Sequence, residues 1–315
     1  MNQVLRTLAH SVSGALRRTS SVIGPSGRFE ALFTLGEFVR EHDRLPRHPS
    51  RADAGIMDYF FWRKHQVWDD LVARCCDKEL AKIEAVRLCP DVKVPRTVAS
   101  IPLRDVSSAD DLRRRVTPFL GQQLVMKPAH SNGGVVFLDQ GAIDYDQYLA
   151  EARRDFFHAA RERQYHGLQP KLIIEEVLRN TAGQLPEDFK FFCFNGQPII
   201  CQIDSDRFTS HKRRLYLVPE WRPLAVSYTY PTGDSSDPRP VNLDQALERC
   251  ARLSAPFDFA RIDLYMMGTD VFFGEFTFTP DAGLKRFSDN RFDVALLEVL
   301  KTGARDAILP FARHL

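Results

Sequence analysis

The sequence predicts an α+β protein with antiparallel sheets, and three stretches predict it. Arg261–Gly283, reading RIDLYMMGTDVFFGEFTFTPDAG, holds two apolar β-prone runs, Ile262–Met266 and Val271–Phe278, around the polar break Gly268-Thr269-Asp270. That pattern reads as a hairpin with a longer-than-minimal loop. LPEDFKFFCFNGQPIICQIDSDR is a second hairpin, turning at Asn195-Gly196 in a type I′ geometry. Apolar residues recur at helical spacing through Phe29–Val86 and again near the C-terminus.

Taken in order, residues 1–29 contain no acid but carry Arg6, Arg17, Arg18 and Arg28, with Val4, Leu5, Leu8, Val12 and Leu16 at helical spacing. A transit peptide, a membrane-surface helix and a helix docked on the body all fit this basic amphipathic arm. A mainly helical region follows over 30–118, in which Phe60, Phe61, Trp62 and Trp68 read as core. It ends in short strand-like pieces around VPRTVAS and a small helix, SADDLRRRV, capped by Ser107 or Ser108. Residues 119–180 hold the strands Leu124–Met126 and Val135–Leu138, a charged helix over Asp146–Gln164, and the strand Lys171–Leu178. Residues 181–315 hold both hairpins, a helix capped by Asn242, and a closing amphipathic helix, DVALLEVLKTGARDAILPF.

Composition narrows the function. The net charge is +2 over 315 residues, so no global attraction to nucleic acid exists and any basic site is local. The six cysteines form no CxxC pair, which fits reduced thiols in a cytosolic enzyme. No apolar run approaches the length of a membrane span.

The chemistry concentrates in four places. With the Arg261–Gly283 loop centred near Thr269, Asp263 lies across from Glu275, and alternation puts Arg261, Asp263, Glu275, Thr277 and Thr279 on one face. Opposed carboxylates need a positive charge between them, and Mg²⁺ held together with substrate phosphates suits oxygen ligands of this kind. The alternative, solvated acids on an exposed face, fits poorly with the apolar run FFGEFTF. In LVMKPAHSNGG, a strand delivers Lys127 to the small-residue loop Ala129–Gly134, which suits an anion, although an ordinary Gly-Gly hairpin has the same look. Lys190 shares a strand face with Asp188, Phe192 and Phe194, and needs either Asp188 or a bound phosphate as partner. The run His211-Lys212-Arg213-Arg214 is either a solvated face or a contact for phosphate or an acidic acceptor.

The phrases CDKELAKIEA, LVMKPAHSNGG, IIEEVL, DFKFFCFNGQPI and RIDLYMMGTDVFFGEFTFTPDAG, in that order across residues 77–283, resemble the ATP-grasp superfamily, and more closely its TupA-like family. The resemblance implies two α+β lobes holding ATP between antiparallel sheets, a small lobe over 119–180 and a large lobe over 181–315. It implies Lys78 and Lys127 on the nucleotide phosphates beneath a lid of Ser131, Asn132, Gly133 and Gly134. Glu175, Glu176, Val177 and Leu178 would be the hinge that reads adenine, and Asp188 would lie near the ribose. Asp263, Glu275 and Thr277 would hold Mg²⁺, while Arg261, Lys190 and Lys127 would stabilise the transferring phosphoryl group. The Pro280–Gly283 loop would line the acceptor pocket, with Lys285 and Arg286 meeting an acidic substrate. Many ATP-grasp enzymes have Asn where this chain has Thr277; the TupA-like group carries the same Glu-x-Thr pattern.

The implied activity is an ATP- and Mg²⁺-dependent carboxylate–amine ligase acting through an acylphosphate in surface-polysaccharide or peptidyl-polymer synthesis. Its acceptor would be a small molecule or saccharide, and its place the cytoplasm, with contact at the inner membrane face or a biosynthetic complex. The chain shows no Ser-His-Asp, Cys-His or HExxH arrangement, which agrees with chemistry driven by cations and preorganised donors. A kinase acting on a sugar or polyol hydroxyl, a glycosyltransferase-type protein of polysaccharide synthesis, and a non-enzymatic nucleotide-binding module remain alternatives.

Overall fold

The computed structural model describes residue 11 and residues 23–180, 182–205, 212–232 and 237–313. Most of the expected N-terminal arm and His211 lie outside the described residues. Four helices come first: α1 (Gly27–His42), α2 (Ile56–Arg63), α3 (Asp70–Cys76) and α4 (Lys78–Leu88). Asp69 and Asp77 cap α3 and α4 by accepting from backbone N–H groups of the first turn.

A four-stranded antiparallel sheet follows, built from β1 (Thr97–Pro102), β2 (Leu124–Pro128), β3 (Val136–Phe137) and β4 (Lys171–Glu176) in the order β1-β4-β2-β3. Its first strand therefore comes from residues N-terminal to 119, the expected start of the small lobe. Helices α5 (Ala109–Val116) and α6 (Tyr145–Ala152) cover one face of this sheet, burying Leu112, Val116 and Leu149 against Met126, Leu172 and Ile174. Ser108 caps α5. The single charged helix expected over Asp146–Gln164 is instead broken in two. Asp155 turns its carboxylate onto the His158 N–H at 3.1 Å and starts α7 (Phe156–Ala160).

The larger sheet has six strands in the order β10-β9-β5-β6-β7-β8, all antiparallel. The strands are β5 (Asp188–Phe194), β6 (Gln197–Ser205), β7 (Lys212–Leu217), β8 (Arg222–Pro223), β9 (Phe259–Met267) and β10 (Asp270–Thr277). Asn195 and Gly196 both have positive φ, as a type I′ turn requires. One face packs on α3, α4 and α8 (Leu243–Ser254) through Phe189, Phe191 and Cys193. The other face is apolar at one end, where Phe192, Phe194 and Phe259 pack on Phe60, Phe61 and on Leu296 of α9 (Asn290–Thr302). Lys190 and Asp188 continue that face, which becomes polar where the small lobe stands opposite.

Two local expectations are corrected. Asn242 makes no capping bond; its amide donates to the Asp270 carbonyl instead. The Arg261–Gly283 hairpin has a minimal loop, with Met267 paired to Asp270, and a one-residue bulge at Gly274 restores the Asp263–Glu275 pairing. Glycine suits the bulge, because a Cβ there would crowd the Asp263 carbonyl oxygen at 3.0 Å and the Tyr265 ring at 3.3 Å. Among the described residues, no helix is long and apolar enough to cross a membrane.

Candidate active site

Strand register builds the floor of the site. Asp263 pairs with Glu275 on one side and with Lys190 on the other, and Arg261 pairs with Thr277. The Asp263 carboxylate accepts from Arg261 Nε at 2.7 Å and Nη2 at 2.8 Å, and from Lys190 Nζ at 2.7 Å. Lys190 also donates to Asp188, so one ammonium bridges two acids. Arg261 Nη2 reaches Thr277 Oγ1 at 3.0 Å and stands 3.6 Å from Glu275 Oε1. The charge between the opposed acids is thus supplied by side-chain cations.

These charges set one another's ionisation. Burial pushes the Lys190 pKa down, but Asp263 and Asp188 outweigh it and the net shift is upward. Burial works against ionised Glu275, yet Lys78, Lys190 and Arg261 together hold its carboxyl below the ordinary 4.5. Among the described residues no cluster of three or more His, Cys, Asp or Glu side chains forms a self-sufficient metal cage. Asp263, Glu275 and Thr277 offer two carboxylates and a hydroxyl. Such a donor set fits a hard cation whose other ligands are phosphate oxygens and water.

The opposite wall belongs to the smaller sheet. Lys127 on β2 and Lys82 on α4 both pair with Glu175, a residue 3% exposed. Burial favours a neutral Glu175, but Lys127 and Lys82 pull its pKa below the ordinary value. The carboxylate expected at the adenine edge is thus an anchor for two lysines. Glu176 is likewise engaged, accepting from the Arg96 N–H at 2.9 Å. Lys78 opens α4 and donates to the Ser131 carbonyl, while its own N–H donates to the Ala129 carbonyl at 2.9 Å. The expected lid is therefore tied to the helix that carries Lys78. Gly133 and Gly134 both have positive φ, and a Cβ on Gly134 would come within 2.9 Å of Pro128 Cδ. Asn132 lies with Ser131 and Gly134 in a 220 Å³ cavity beside α6.

Between the walls lies a cleft of about 430 Å³. Lys127, Val135, Phe137, Glu176, Val177 and Leu178 line one side, and Leu185, Pro186, Asp188 and Tyr265 the other. Lys127, the segment Glu175–Leu178 and Asp188 thus line one cleft. Four residues here were missed in the sequence. Tyr265 continues the period-two face of Arg261 and Asp263, so alternation alone identifies it. Lys82 is one helical turn beyond Lys78. Leu185 and Pro186 carried no signal.

Lys285 and Arg286, expected to meet an acidic substrate, stand beside α1. Lys285 points to Glu41 of α1, 3.7 Å away, and Arg286 lies near His42 of the same helix. Asp281, Ala282 and Gly283 all have positive φ. This tight loop is held by Lys64, wholly buried, whose Nζ donates to the Ala282 carbonyl at 2.7 Å. Beneath it, the Thr279 hydroxyl bonds Glu162 and accepts from Gln164 Nε2 at 2.7 Å. From the basic run, Arg213 pairs with Asp204 at 2.6 Å and Arg214 with Asp237 at 2.5 Å.

Residues 96–301 match the family model described as TupA-like ATPgrasp. No curated protein matches the chain. Similar solved structures include D-alanine–D-alanine ligase from Bacillus anthracis complexed with ATP, at 14% identity and a TM-score of 0.37 over 75% of this chain and 64% of that one. The ATP-grasp ligase PsnB complexed with minimal precursor, Mg and ADP aligns at 12% identity and 0.35 over 71% and 58%. D-alanine–D-alanine ligase from Helicobacter pylori aligns at 12% and 0.39 over 76% and 60%. The chain thus spans less than two thirds of the length of these proteins.

Proposed function

The chain belongs to the TupA-like ATP-grasp family, and from that premise we propose that it is an ATP- and Mg²⁺-dependent carboxylate–amine ligase. We further assign its products to bacterial surface-polysaccharide or peptidyl-polymer synthesis. The observation that supports the ligase reading is the pairing of Asp263 with Glu275 and Lys190, with Lys190 also bonding Asp188, which lines the same cleft as Lys127. Adenine fits the apolar part of that cleft, between Val177 and Leu178 on one side and Tyr265 on the other. Lys127 and Lys78 then lie with the phosphates, under the Ser131–Gly134 loop.

Asp263, Glu275 and Thr277 are the residues that would hold Mg²⁺, whose chemistry is to neutralise charge on the phosphate oxygens. Arg261 and Lys190 stabilise the negative charge that builds on the phosphoryl oxygens during transfer. In the first step a substrate carboxylate oxygen attacks the γ-phosphorus and ADP leaves, giving an acylphosphate. In the second, an amine attacks the acyl carbon, phosphate leaves and the amine loses a proton. Neither step needs a protein nucleophile. Among the described residues all six cysteines are buried, and burial raises the Cys76, Cys201 and Cys250 thiols well above their ordinary value.

The test is product analysis with ATP against uronic acids, amino acids and amino sugars. The ligase reading expects ADP and free phosphate in equal amounts only when an acid and an amine are both present. ADP without phosphate, together with a phosphorylated hydroxyl product, contradicts it and makes the protein a kinase.

A further inference from the structure

Two lysines share the Glu175 carboxylate, and Lys127 is the one that lines the cleft. Helical spacing sets Lys82 one turn beyond Lys78 on α4, and strand register sets Thr97 of β1 opposite Glu175 of β4. Lys82 Nζ donates to the Pro95 carbonyl and to Thr97 Oγ1, each at 2.9 Å, and to Glu175 Oε2. Those three acceptors match the three donors of an ammonium group. Lys127 takes the other oxygen, Oε1, and lines the 430 Å³ cleft together with Glu175. Its side chain is 18% exposed, against 8% for that of Lys82.

The charges on Lys82, Glu175 and Lys127 sum to a single positive charge. A carboxylate that touches one lysine alone largely cancels it for any anion beyond the pair. Lys82 offsets Glu175 from the far side, and the cation left over is Lys127, where anionic oxygens enter. Glu79 also acts on Lys82, but its carboxylate pairs with Lys171. Glu175 can therefore hold the Lys127 side chain in place without silencing its charge.

We propose that Lys82 is a positioning residue of the nucleotide site: acting through Glu175, it keeps a full positive charge on Lys127 for the nucleotide phosphates. The proposal rests on the ATP site proposed above and not on the identity of the acid or the amine. Lys82 makes no contact with the nucleotide itself.

The test compares AMP-PNP with adenosine, both in Mg²⁺, by titration calorimetry on the full chain. The ratio of the two affinities isolates the contribution of the phosphates. Lys82→Met should lower that ratio about tenfold, the effect of one charge roughly 10 Å away at an effective dielectric constant of about 20. Lys82→Arg, which keeps the charge, should retain most of it. Adding Glu175→Gln to Lys82→Met removes the matching negative charge and should restore the ratio. Glu175→Gln alone should raise the ratio above that of wild type. A purely structural role for Lys82 predicts instead that the double variant binds no better than Lys82→Met. An unchanged ratio in Lys82→Met, or no recovery in the double variant, overturns the proposal. If Lys82→Met does not fold, Glu175→Gln decides, and a ratio equal to or below that of wild type overturns the proposal. A wild-type ratio near one overturns it together with the ATP site. Product analysis that excludes a ligase, with these ratios as expected, leaves it standing.

Discussion

Asp263 and Glu275 face each other across one ladder but are not equivalent. Asp263 accepts three hydrogen bonds from Arg261 and Lys190, whereas the Glu275 side chain is 36% exposed, with Arg261 Nη2 at 3.6 Å. Glu275 is therefore the acid freer to take a metal. Glu275→Gln should weaken AMP-PNP binding in Mg²⁺ by about 1.5–3 kcal/mol, the range of a charged-group contact, and leave metal-free binding nearly unchanged, by titration calorimetry. Lys64 offers a pH test. Burial lowers its pKa from 10.5 to about 8, against the pull of Glu162. Between those values the unfolded chain binds the extra proton, so this residue's penalty is full below pH 8 and is relieved as pH rises. Its contribution should climb by up to about 1.4 kcal/mol per pH unit in that window. Denaturant unfolding of wild type and Lys64→Met at pH 7.5 and 9.5 checks it: the difference between the two proteins must shift in favour of wild type at the higher pH.

At the scale of elements, Gly283 seats the Pro280–Gly283 loop closely against α2. A Cβ there would stand 2.7 Å from Phe60 Cβ and 3.1 Å from the Phe61 nitrogen, at φ +65°. Gly283→Ala should cost about 1–3 kcal/mol in denaturant unfolding, through strain and a displaced loop. Local signals made much of the fold legible in the sequence. Asn195-Gly196 fixed one hairpin, and period-two spacing paired Asp263 with Glu275 even though the loop and the bulge were not foreseen. Contacts distant in sequence were not legible. Lys82 meets Glu175 across 93 positions, and nothing local marks either residue for the other. The broken helix at Asp155 was missed because its charge pattern is continuous, while the capping carboxylate acts on the backbone.

At the scale of the whole molecule, the family match begins at residue 96, yet the chain before it is built into the large lobe. Phe38, Met57, Phe60 and Phe61 share one core with Phe192, Phe194, Phe259 and Leu296. Deleting residues 1–66 uncovers that face. The shortened protein should lose its near-ultraviolet circular dichroism and its cooperative melt; retention of both would show the lobe to be independent of α1 and α2. The two sheets meet at the cleft, and the proposed function requires the larger one to present a metal-binding carboxylate pair there. Calorimetric titration of AMP-PNP, with and without Mg²⁺, into wild type and the Asp263→Asn, Glu275→Gln double variant tests this most directly. Mg²⁺ should enhance binding in wild type, and the double variant should lose that enhancement. Equal Mg²⁺-dependent affinity in both proteins would contradict the proposed function.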